Sequence, residues 1–344
     1  MYCQRLSSSL FAWVVLVTAL SAHPSLAAND AATEFAIETW MTEHGMPQNS
    51  VTALLQTRHG YIWAATYSGI AQFDGDRFRV FDSATAEGLP NSRITSLFED
   101  AKGDIWAGHD TGDLTRYSKG RFYPEKILGK WTPGMIAGIG ADMRGDLWML
   151  NIRGEAQRIR DGLVLKPPPE MAEFPSLVPQ LVADGQQRLL MVRNGYVAAI
   201  TPEGIQRMEF PSSEPRPYYA CVTPAQKGGL WIPGDGRVRR WAAGAWQEDL
   251  GPYPWTNAFV MSMMESSNGY LLVGTLERGL FIRSPTFGWM NLNRTNGLPQ
   301  DWIRCFVEDR EHNLWIGNSG GLVVLRPRSV VMYSPPDEWH GRPV

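Results

Sequence analysis

Apolar and polar residues alternate along the chain in short segments. Examples are VTALLQ at 51–56, ITSLFED at 94–100 and IRCFVED at 303–309. Alternation with a period of two is typical of a strand that buries one face, and glycine-containing turns separate such segments. We find no long apolar pattern with the helical period of 3.6. The pattern predicts an all-β fold built from many short strands.

These strands belong to a unit that recurs seven times. Each copy has an anchor position after a turn related to D-x-x-G-x-[IL]-W, and the anchors are Trp63, Trp106, Trp148, Leu190, Trp231, Leu272 and Trp315. Their successive spacings are 43, 42, 42, 41, 41 and 43 residues. So regular a period indicates a repeat architecture.

Each unit carries signals for four strands. An apolar strand precedes the turn, and the anchor strand follows it. A third strand resembles IAQFD or LTRYS, and a hairpin such as DGDRF or KGRF leads into the fourth. Four antiparallel strands in roughly 40 residues describe a propeller blade. The sequence predicts a seven-bladed β-propeller of four-stranded antiparallel blades over residues 35–333.

The N-terminal segment predicts how the ring closes. FAIETWMTEHGMP at 35–47 resembles FGWMNLNRTNGLP at 287–299, which contains a fourth strand. The N-terminal segment has no blade of its own, so we expect it to supply the fourth strand of blade 7. Such pairing would remove an open sheet edge.

Charge and the chain ends bear on location and partners. Charged residues make up 19% of the chain and the net charge is -3, so no basic stripe suggests nucleic acid.

Residues 1–27 combine Arg5, an apolar run at 10–20 and the cleavage-like SLA, which predicts a signal peptide and a periplasmic or extracellular mature chain without a membrane span. An uncleaved N-terminal anchor is the alternative. Residues 334–344 resemble the start of a further repeat, which suggests a longer parent protein.

The two cysteines outside the signal peptide occupy equivalent repeat positions. Cys221 and Cys305 both lie ten residues before their anchors, where most other copies have a small residue. They fall in blades 5 and 7, which are not neighbours, so we expect two small buried thiols and no disulfide.

Three loops resemble a known family. GMPQNSV, GLPNSRI and GLPQDWI, followed by the D-x-x-G-x-[IL]-W type of turn, resemble the two-component regulator propeller (Reg_prop) repeat. The resemblance implies an extracytoplasmic sensor region of a bacterial signalling protein. Such regions usually precede a membrane span and a histidine kinase or diguanylate cyclase module, which would belong to a longer parent protein.

Strand order predicts where a ligand would bind. The loops before the first strands and the turns after the second strands should share one face, and the D-x-x-G turns should lie on the other. Aromatic rings beside arginine and asparagine suit a small-molecule or oligosaccharide ligand, such as a sugar or an anionic glycan. The candidate ligand-binding residues are His109, Arg193, Tyr219, Trp255, Asn257, Trp302 and Arg304. The alternative is that strand ends are simply polar and the tryptophans pack between blades.

No catalytic constellation is evident. The histidines lack metal-ligand spacing, and neither G-x-S-x-G nor a phosphate-binding glycine loop occurs, so we predict no catalytic residue, metal or cofactor. The leading hypothesis is a ligand-sensing module. The alternatives are a lyase or glycosidase that acts on glycans, and a scaffold that binds proteins, because propellers host all three functions. Asp100 and Gly103 in FEDAKGDIWAG are predicted to be structural turn residues.

Overall fold

A computed structural model of the protein describes residues 34–128, 134–165, 179–186, 188–193, 195–201, 204–212, 219–255 and 258–328. Within these residues the chain forms seven four-stranded sheets. Each sheet is one blade, and its strands pair antiparallel in chain order in blades 1 to 6. The predicted seven-bladed all-β propeller is confirmed.

The strands of the first four blades have the following bounds. Blade 1 comprises β2 (Val51–Gln56), β3 (Ile62–Thr66), β4 (Gly69–Phe73) and β5 (Phe78–Phe81). Blade 2 comprises β6 (Ile94–Glu99), β7 (Ile105–His109), β8 (Leu114–Ser118) and β9 (Arg121–Glu125). Blade 3 comprises β10 (Ile136–Ala141), β11 (Leu147–Asn151), β12 (Ala156–Arg160) and β13 (Leu163–Leu165). Blade 4 comprises β14 (Gln180–Ala183), β15 (Leu189–Arg193), β16 (Tyr196–Thr201) and β17 (Gly204–Met208).

The remaining blades include the seam of the ring. Blade 5 comprises β18 (Thr223–Pro224), β19 (Leu230–Gly234), β20 (Arg237–Ala242) and β21 (Ala245–Pro252). Blade 6 comprises β22 (Val260–Glu265), β23 (Leu271–Thr275), β24 (Leu280–Ser284) and β25 (Gly288–Leu292). Blade 7 comprises β26 (Ile303–Glu308), β27 (Leu314–Asn318), β28 (Gly321–Pro327) and the N-terminal strand β1 (Phe35–Trp40).

The N-terminal strand closes the ring. Strand β1 pairs antiparallel with β28, from Phe35 opposite Pro327 to Trp40 opposite Leu322. Phe35 is fully buried and packs edge-on against the ring of Tyr270 in blade 6, with centroids 5.1 Å apart. The predicted closure is confirmed, and it joins the two ends of the propeller within one sheet.

Hydrophobic clusters lie between neighbouring blades. Ile105 packs with Trp63 and Phe81 in the cluster of blades 1 and 2. The next residue, Trp106, points to the opposite side of its strand and packs against Met149 in the cluster of blades 2 and 3. Successive side chains alternate across a strand, so one anchor strand contributes to two interfaces.

The D-x-x-G turn is held by one carboxylate. Oδ1 of Asp100 accepts the backbone N–H groups of Lys102 at 2.8 Å and Asp104 at 3.0 Å. Gly103 has a φ of 87°, a conformation that favours glycine. Oδ2 accepts the indole N–H of Trp106 at 2.9 Å. The first two features were predicted from the sequence, whereas the bond from the anchor tryptophan was not.

In copies without the turn aspartate, the indole N–H of the anchor tryptophan has a different acceptor or has none among the described residues. In blade 5, Ala225 stands at the aspartate position, and the Trp231 indole donates instead to Glu265 of blade 6 at 2.8 Å. In blade 1, Thr57 stands there, and the buried Trp63 Nε1 has no hydrogen-bond acceptor among the described residues. The turn residue therefore decides whether the anchor indole is bound within its own blade.

Glutamates at the ends of first strands join neighbouring blades. Glu99 accepts the backbone N–H of Arg58 at 2.8 Å, and Glu308 accepts that of Ser267 at 2.7 Å. Glu265 accepts the backbone N–H of Gln226 at 2.7 Å. In each case the donor lies in the turn of the preceding blade, so these carboxylates have a structural role.

The cysteines are not bonded to each other. Cys221 and Cys305 are free, as predicted, and Cys221 is buried whereas Cys305 is only partly buried. Burial raises the pKa of the Cys221 thiol well above its ordinary value and that of Cys305 to about 12. Gly317 provides the space beside Cys305, because a Cβ atom there would lie 2.3 Å from Sγ.

The described residues include a short 3-10 helix, Thr42–His44, and none of their helices has the length and apolar character needed to cross a membrane. The predicted signal peptide (1–27) and the tail at 334–344 lie outside the described residues.

Candidate functional site

The strand registers define two faces of the ring. Ile94, at the start of β6, lies opposite His109, at the end of β7, and Ile303 lies opposite Asn318 in the same way. We call the face that carries these strand ends the top face. The D-x-x-G turns connect the other ends of the first and second strands and lie on the bottom face. This arrangement is the one predicted from strand order.

The polar residues that end the second strands are buried. They include the candidates His109 and Arg193. Thr66, His109, Asn151, Arg193, Thr275 and Asn318 are all buried, as is Gly234, which ends the second strand of blade 5. Thr275 Oγ1 donates to the Gly279 carbonyl at 2.7 Å, and Asn151 Oδ1 accepts the Arg153 N–H at 3.0 Å. Buried backbone groups need partners, so these side chains serve the turns beside them. The candidates His109 and Arg193 therefore lie inside the fold.

His109 is a neutral, internally bonded histidine. Its Nδ1 lies 3.0 Å from Asn91 Oδ1 and its Nε2 lies 2.8 Å from Thr115 Oγ1. Because an amide oxygen can only accept, Nδ1 carries the proton and Nε2 accepts from the threonine hydroxyl. Burial lowers the pKa of His109 from 6.5 to about 4, so the ring is uncharged at neutral pH.

Three other candidates lie inside the structure. Arg193 is 4% exposed at the end of β15, and burial lowers the pKa of its guanidinium. Tyr219 packs edge-on against Phe210 in the cluster of blades 4 and 5. Trp255 is 4% exposed and stacks on Tyr253 at 4.6 Å in the cluster of blades 5 and 6.

These positions of Tyr219 and Trp255 match the alternative in which aromatic residues pack between blades. The remaining candidate of this group, Asn257, lies outside the described residues.

Trp302 and Arg304 come together on the top face with residues of blades 1 and 2. The Arg304 guanidinium lies 3.9 Å from the centroid of the Trp302 ring and 5.7 Å from that of Tyr67. The Arg93 guanidinium lies 4.7 Å from the Tyr67 centroid and forms an ion pair with Asp110. We call these five residues, Trp302, Arg304, Tyr67, Arg93 and Asp110, the top-face cluster.

A bulge in the first strand positions Arg304. The pairing register of β26 shifts between Ile303 and Cys305, which leaves Arg304 as the extra residue. The same shift occurs in blades 1 and 2, where Thr52 and Thr95 donate to backbone carbonyls of the next blade at 2.7 Å. Arg304 departs from this pattern, because its long side chain reaches the Tyr67 hydroxyl in blade 1 at 3.4 Å.

Backbone hydrogen bonds fix the loops of the cluster. The N–H of Asp110 donates to the Arg93 carbonyl at 3.1 Å, and that of Ser319 donates to the Trp302 carbonyl at 3.2 Å. Each loop before a first strand is thereby tied to the turn after the second strand of the same blade. The cluster therefore rests on two anchored loop pairs.

The two guanidinium groups have different partners. Hydrogen bonding and attraction to Asp110 raise the pKa of Arg93. Arg304 donates only to neutral groups among the described residues, namely the hydroxyls of Ser319 at 3.3 Å and Tyr67 at 3.4 Å. The partly buried Arg304 thus has no carboxylate partner in the described part of the chain.

Trp302 and Arg304 were predicted from the sequence as ligand-binding candidates, whereas Tyr67 and Asp110 were not. Both residues lie in turns just after second strands, next to the buried Thr66 and His109. Among the described residues, no group of His, Cys, Asp and Glu side chains is arranged to hold a metal ion.

Sequence comparison identifies the repeats themselves. The family described as two component regulator propeller matches residues 45–68, 88–111 and 297–320. These three segments match the two component regulator propeller repeat. Each matched repeat runs from the loop before a first strand, through the bottom-face turn, to the turn after the second strand. Two of the three repeats therefore include residues of the top-face cluster in blades 1 and 2, and the third includes Trp302 and Arg304.

Solved structures share the fold of these repeats. One similar structure is a streptogramin B lyase, with a TM-score of 0.68 and 16% identity over 87% of this chain and 100% of that one. Another is the extracellular domain of a protein described as the hybrid two component system BT3049 of B. thetaiotaomicron, with a TM-score of 0.66 and 16% identity over 85% of this chain and 42% of that one. A third is the corresponding domain of the one component system BT4673 of the same organism, with a TM-score of 0.67 and 17% identity over 86% and 40%.

This chain thus spans less than half of the two B. thetaiotaomicron domains. At these identities the likeness establishes the fold alone. No curated protein sequence gives a significant match.

Proposed function

We propose that this propeller is the extracytoplasmic, ligand-sensing module of a bacterial signal-transduction protein and that it recognises a carbohydrate on its top face. The two component regulator propeller repeats support the signalling context. The similarity to extracellular domains of two regulatory systems, and the apolar N-terminal segment typical of an export signal, support a periplasmic or extracellular location. A histidine kinase or diguanylate cyclase module would act downstream in a longer parent protein.

The observation that carries the proposal is the position of Arg304 between two aromatic rings. Trp302 and Tyr67 provide apolar ring surface, and the hydroxyls and guanidinium groups beside them provide donors and acceptors. Sugars combine an apolar ring face with hydroxyl groups, so a site of this composition suits them. The residues come from blades 7, 1 and 2, which makes the site depend on ring closure.

The alternatives gain less support from the structure. His109 is the histidine among the candidate residues and could act as an acid or base only through an accessible ring nitrogen, but its ring is buried and bonded at both nitrogens. The likeness to streptogramin B lyase concerns the fold. A protein-binding scaffold would not require a partly buried arginine without a carboxylate partner.

Isothermal titration calorimetry against a panel of oligosaccharides tests the proposal. We expect at least one saccharide to bind, and we expect Trp302→Ala and Arg304→Ala to weaken that binding at least about tenfold, as loss of a central contact does. The matched control is Arg79→Ala, which removes a guanidinium 4.7 Å from the Phe81 ring on the outer strand of blade 1. Binding that survives both top-face substitutions would refute the site, and the absence of any saccharide ligand would refute the proposed ligand class.

A further inference from the structure

The charges of the top-face cluster are unequal. Two guanidinium groups lie near one ring, because Arg93 and Arg304 are 4.7 Å and 5.7 Å from the Tyr67 centroid. Among the described residues, Asp110 forms an ion pair with Arg93 alone. The nearby carboxylates of Asp301 and Asp113 accept the Arg294 backbone N–H and the Thr111 hydroxyl, respectively.

The Arg304 guanidinium is therefore a donor without a matching anion among the described residues. A guanidinium has five N–H groups in a fork that fits carboxylate or sulfate oxygens. Two of its nitrogens make long contacts of 3.3 Å and 3.4 Å to hydroxyl groups, which are weaker partners than an anion. Because the Trp302 ring underlies it at 3.9 Å, the guanidinium is already held in one place.

Arg93 can change partners at little cost. Its side chain is 56% exposed and that of Asp110 is 21% exposed. Ion pairs at the surface stabilise proteins little, so an incoming anion can compete with Asp110. Arg93 and Arg304, which both lie near the Tyr67 ring, can then each contact the anion.

We infer that the top-face cluster binds a saccharide that bears an anionic group, with Arg304 as its primary contact, Arg93 as a second cation and Asp110 as a built-in competitor. This inference rests on the proposed function and narrows its ligand class from carbohydrates to acidic carbohydrates. Carboxylate and sulfate groups share the required chemistry, and the experiment separates them.

The test compares saccharides that differ only in charge. The probes are galacturonic and glucuronic acid disaccharides, their neutral methyl esters, and sulfated disaccharides of the same linkage, measured by calorimetry against the full chain. We expect a uronate or a sulfated disaccharide to bind at least about tenfold more tightly than its neutral counterpart, as expected for charge-assisted hydrogen bonds. We also expect that preference to shrink as salt concentration rises.

Four variants locate the effect. Arg304→Gln should abolish the preference for the charged probe, whereas Arg79→Gln should leave it unchanged. Asp110→Asn should strengthen binding of the charged probe about threefold, because it removes the competitor, and should not change binding of the ester. Arg304→Met also removes the charge and replaces the glutamine variant in this comparison if that variant does not fold.

The outcomes distinguish the two levels of the proposal. Equal affinities for an acid and its ester, or tighter binding of neutral sugars, would overturn the inference while the carbohydrate-sensing function stands. Failure of every saccharide to bind would overturn both. Weaker binding of the charged probe to Asp110→Asn would contradict the competitor role.

Discussion

The indole N–H of Trp315 donates to Oδ2 of Asp309 at 2.7 Å, across the turn that joins the first two strands of blade 7. The same spacing of six residues joins Trp106 to Asp100 and Trp148 to Asp142. One carboxylate thus closes a turn and fixes the ring that packs between two blades. The recurring motif therefore encodes both a local turn and a long-range packing position.

Removing this carboxylate should destabilise the propeller. Asp309 is 7% exposed and also accepts the backbone N–H groups of Glu311 and Asn313. We expect Asp309→Ala to lower the free energy of unfolding by about 2–3 kcal/mol, because several buried donors lose their acceptor. Chemical denaturation measures the loss, and Asp76→Ala at an exposed hairpin is the control. Equal losses in the two variants would contradict the role of Asp309.

The blade 1 turn offers the reverse experiment. Thr57 occupies the aspartate position, and the buried indole nitrogen of Trp63 has no acceptor among the described residues. We expect Thr57→Asp to raise the free energy of unfolding by about 1 kcal/mol, because it supplies the missing hydrogen bond. The gain should vanish in the Thr57→Asp/Trp63→Phe double variant. A gain that persists there would show that the indole is not responsible.

Ring closure should depend on the first residue of β1. Phe35 is fully buried between blades 6 and 7. We expect Phe35→Ala to cost about 3–5 kcal/mol, the usual effect of truncating a buried aromatic residue. Phe287→Ala, at a residue that is 57% exposed, is the control. Thermal unfolding with light scattering should also reveal earlier aggregation of the Phe35 variant, because β28 would lose its partner. Unchanged stability would mean that β1 is dispensable.

The sequence predicted the fold well because a fixed period directly encodes the number of blades. It also predicted closure, because residues 35–47 resemble a known fourth strand. It did not predict that the ends of second strands are buried, since polarity there serves the backbone of the turns. The partnership of Arg304 with Tyr67 was out of reach, because the residues are 237 positions apart and meet only through ring closure and a bulge.

The buried His109 should make stability depend on pH. Its pKa is about 4 in the folded protein and 6.5 in the unfolded reference. Between these values the unfolded chain binds a proton that the folded chain does not, so stability falls as the pH falls from 6.5 to about 4. The full loss is about 3 kcal/mol, at 1.36 kcal/mol for each unit.

Denaturant unfolding across this pH range checks the effect of His109. We expect His109→Gln to flatten the dependence, whereas His59→Gln at an exposed turn should leave it as in the wild type. Identical slopes for wild type and His109→Gln would show that another group is responsible.

We expect both thiols to be protected from alkylation in the folded protein. We also expect them to make the stability of the protein depend on pH in the alkaline range. Burial raises both pKa values, that of Cys305 from 9.0 to about 12. We expect alkylation to be at least about a hundredfold slower in the folded than in the unfolded chain, because the thiolate is the reactive form.

Above pH 9 the unfolded chain releases protons that the folded chain retains, so stability should decline as pH rises. Cys305→Ser should reduce that decline, and equal slopes in the two proteins would show that Cys305 titrates freely.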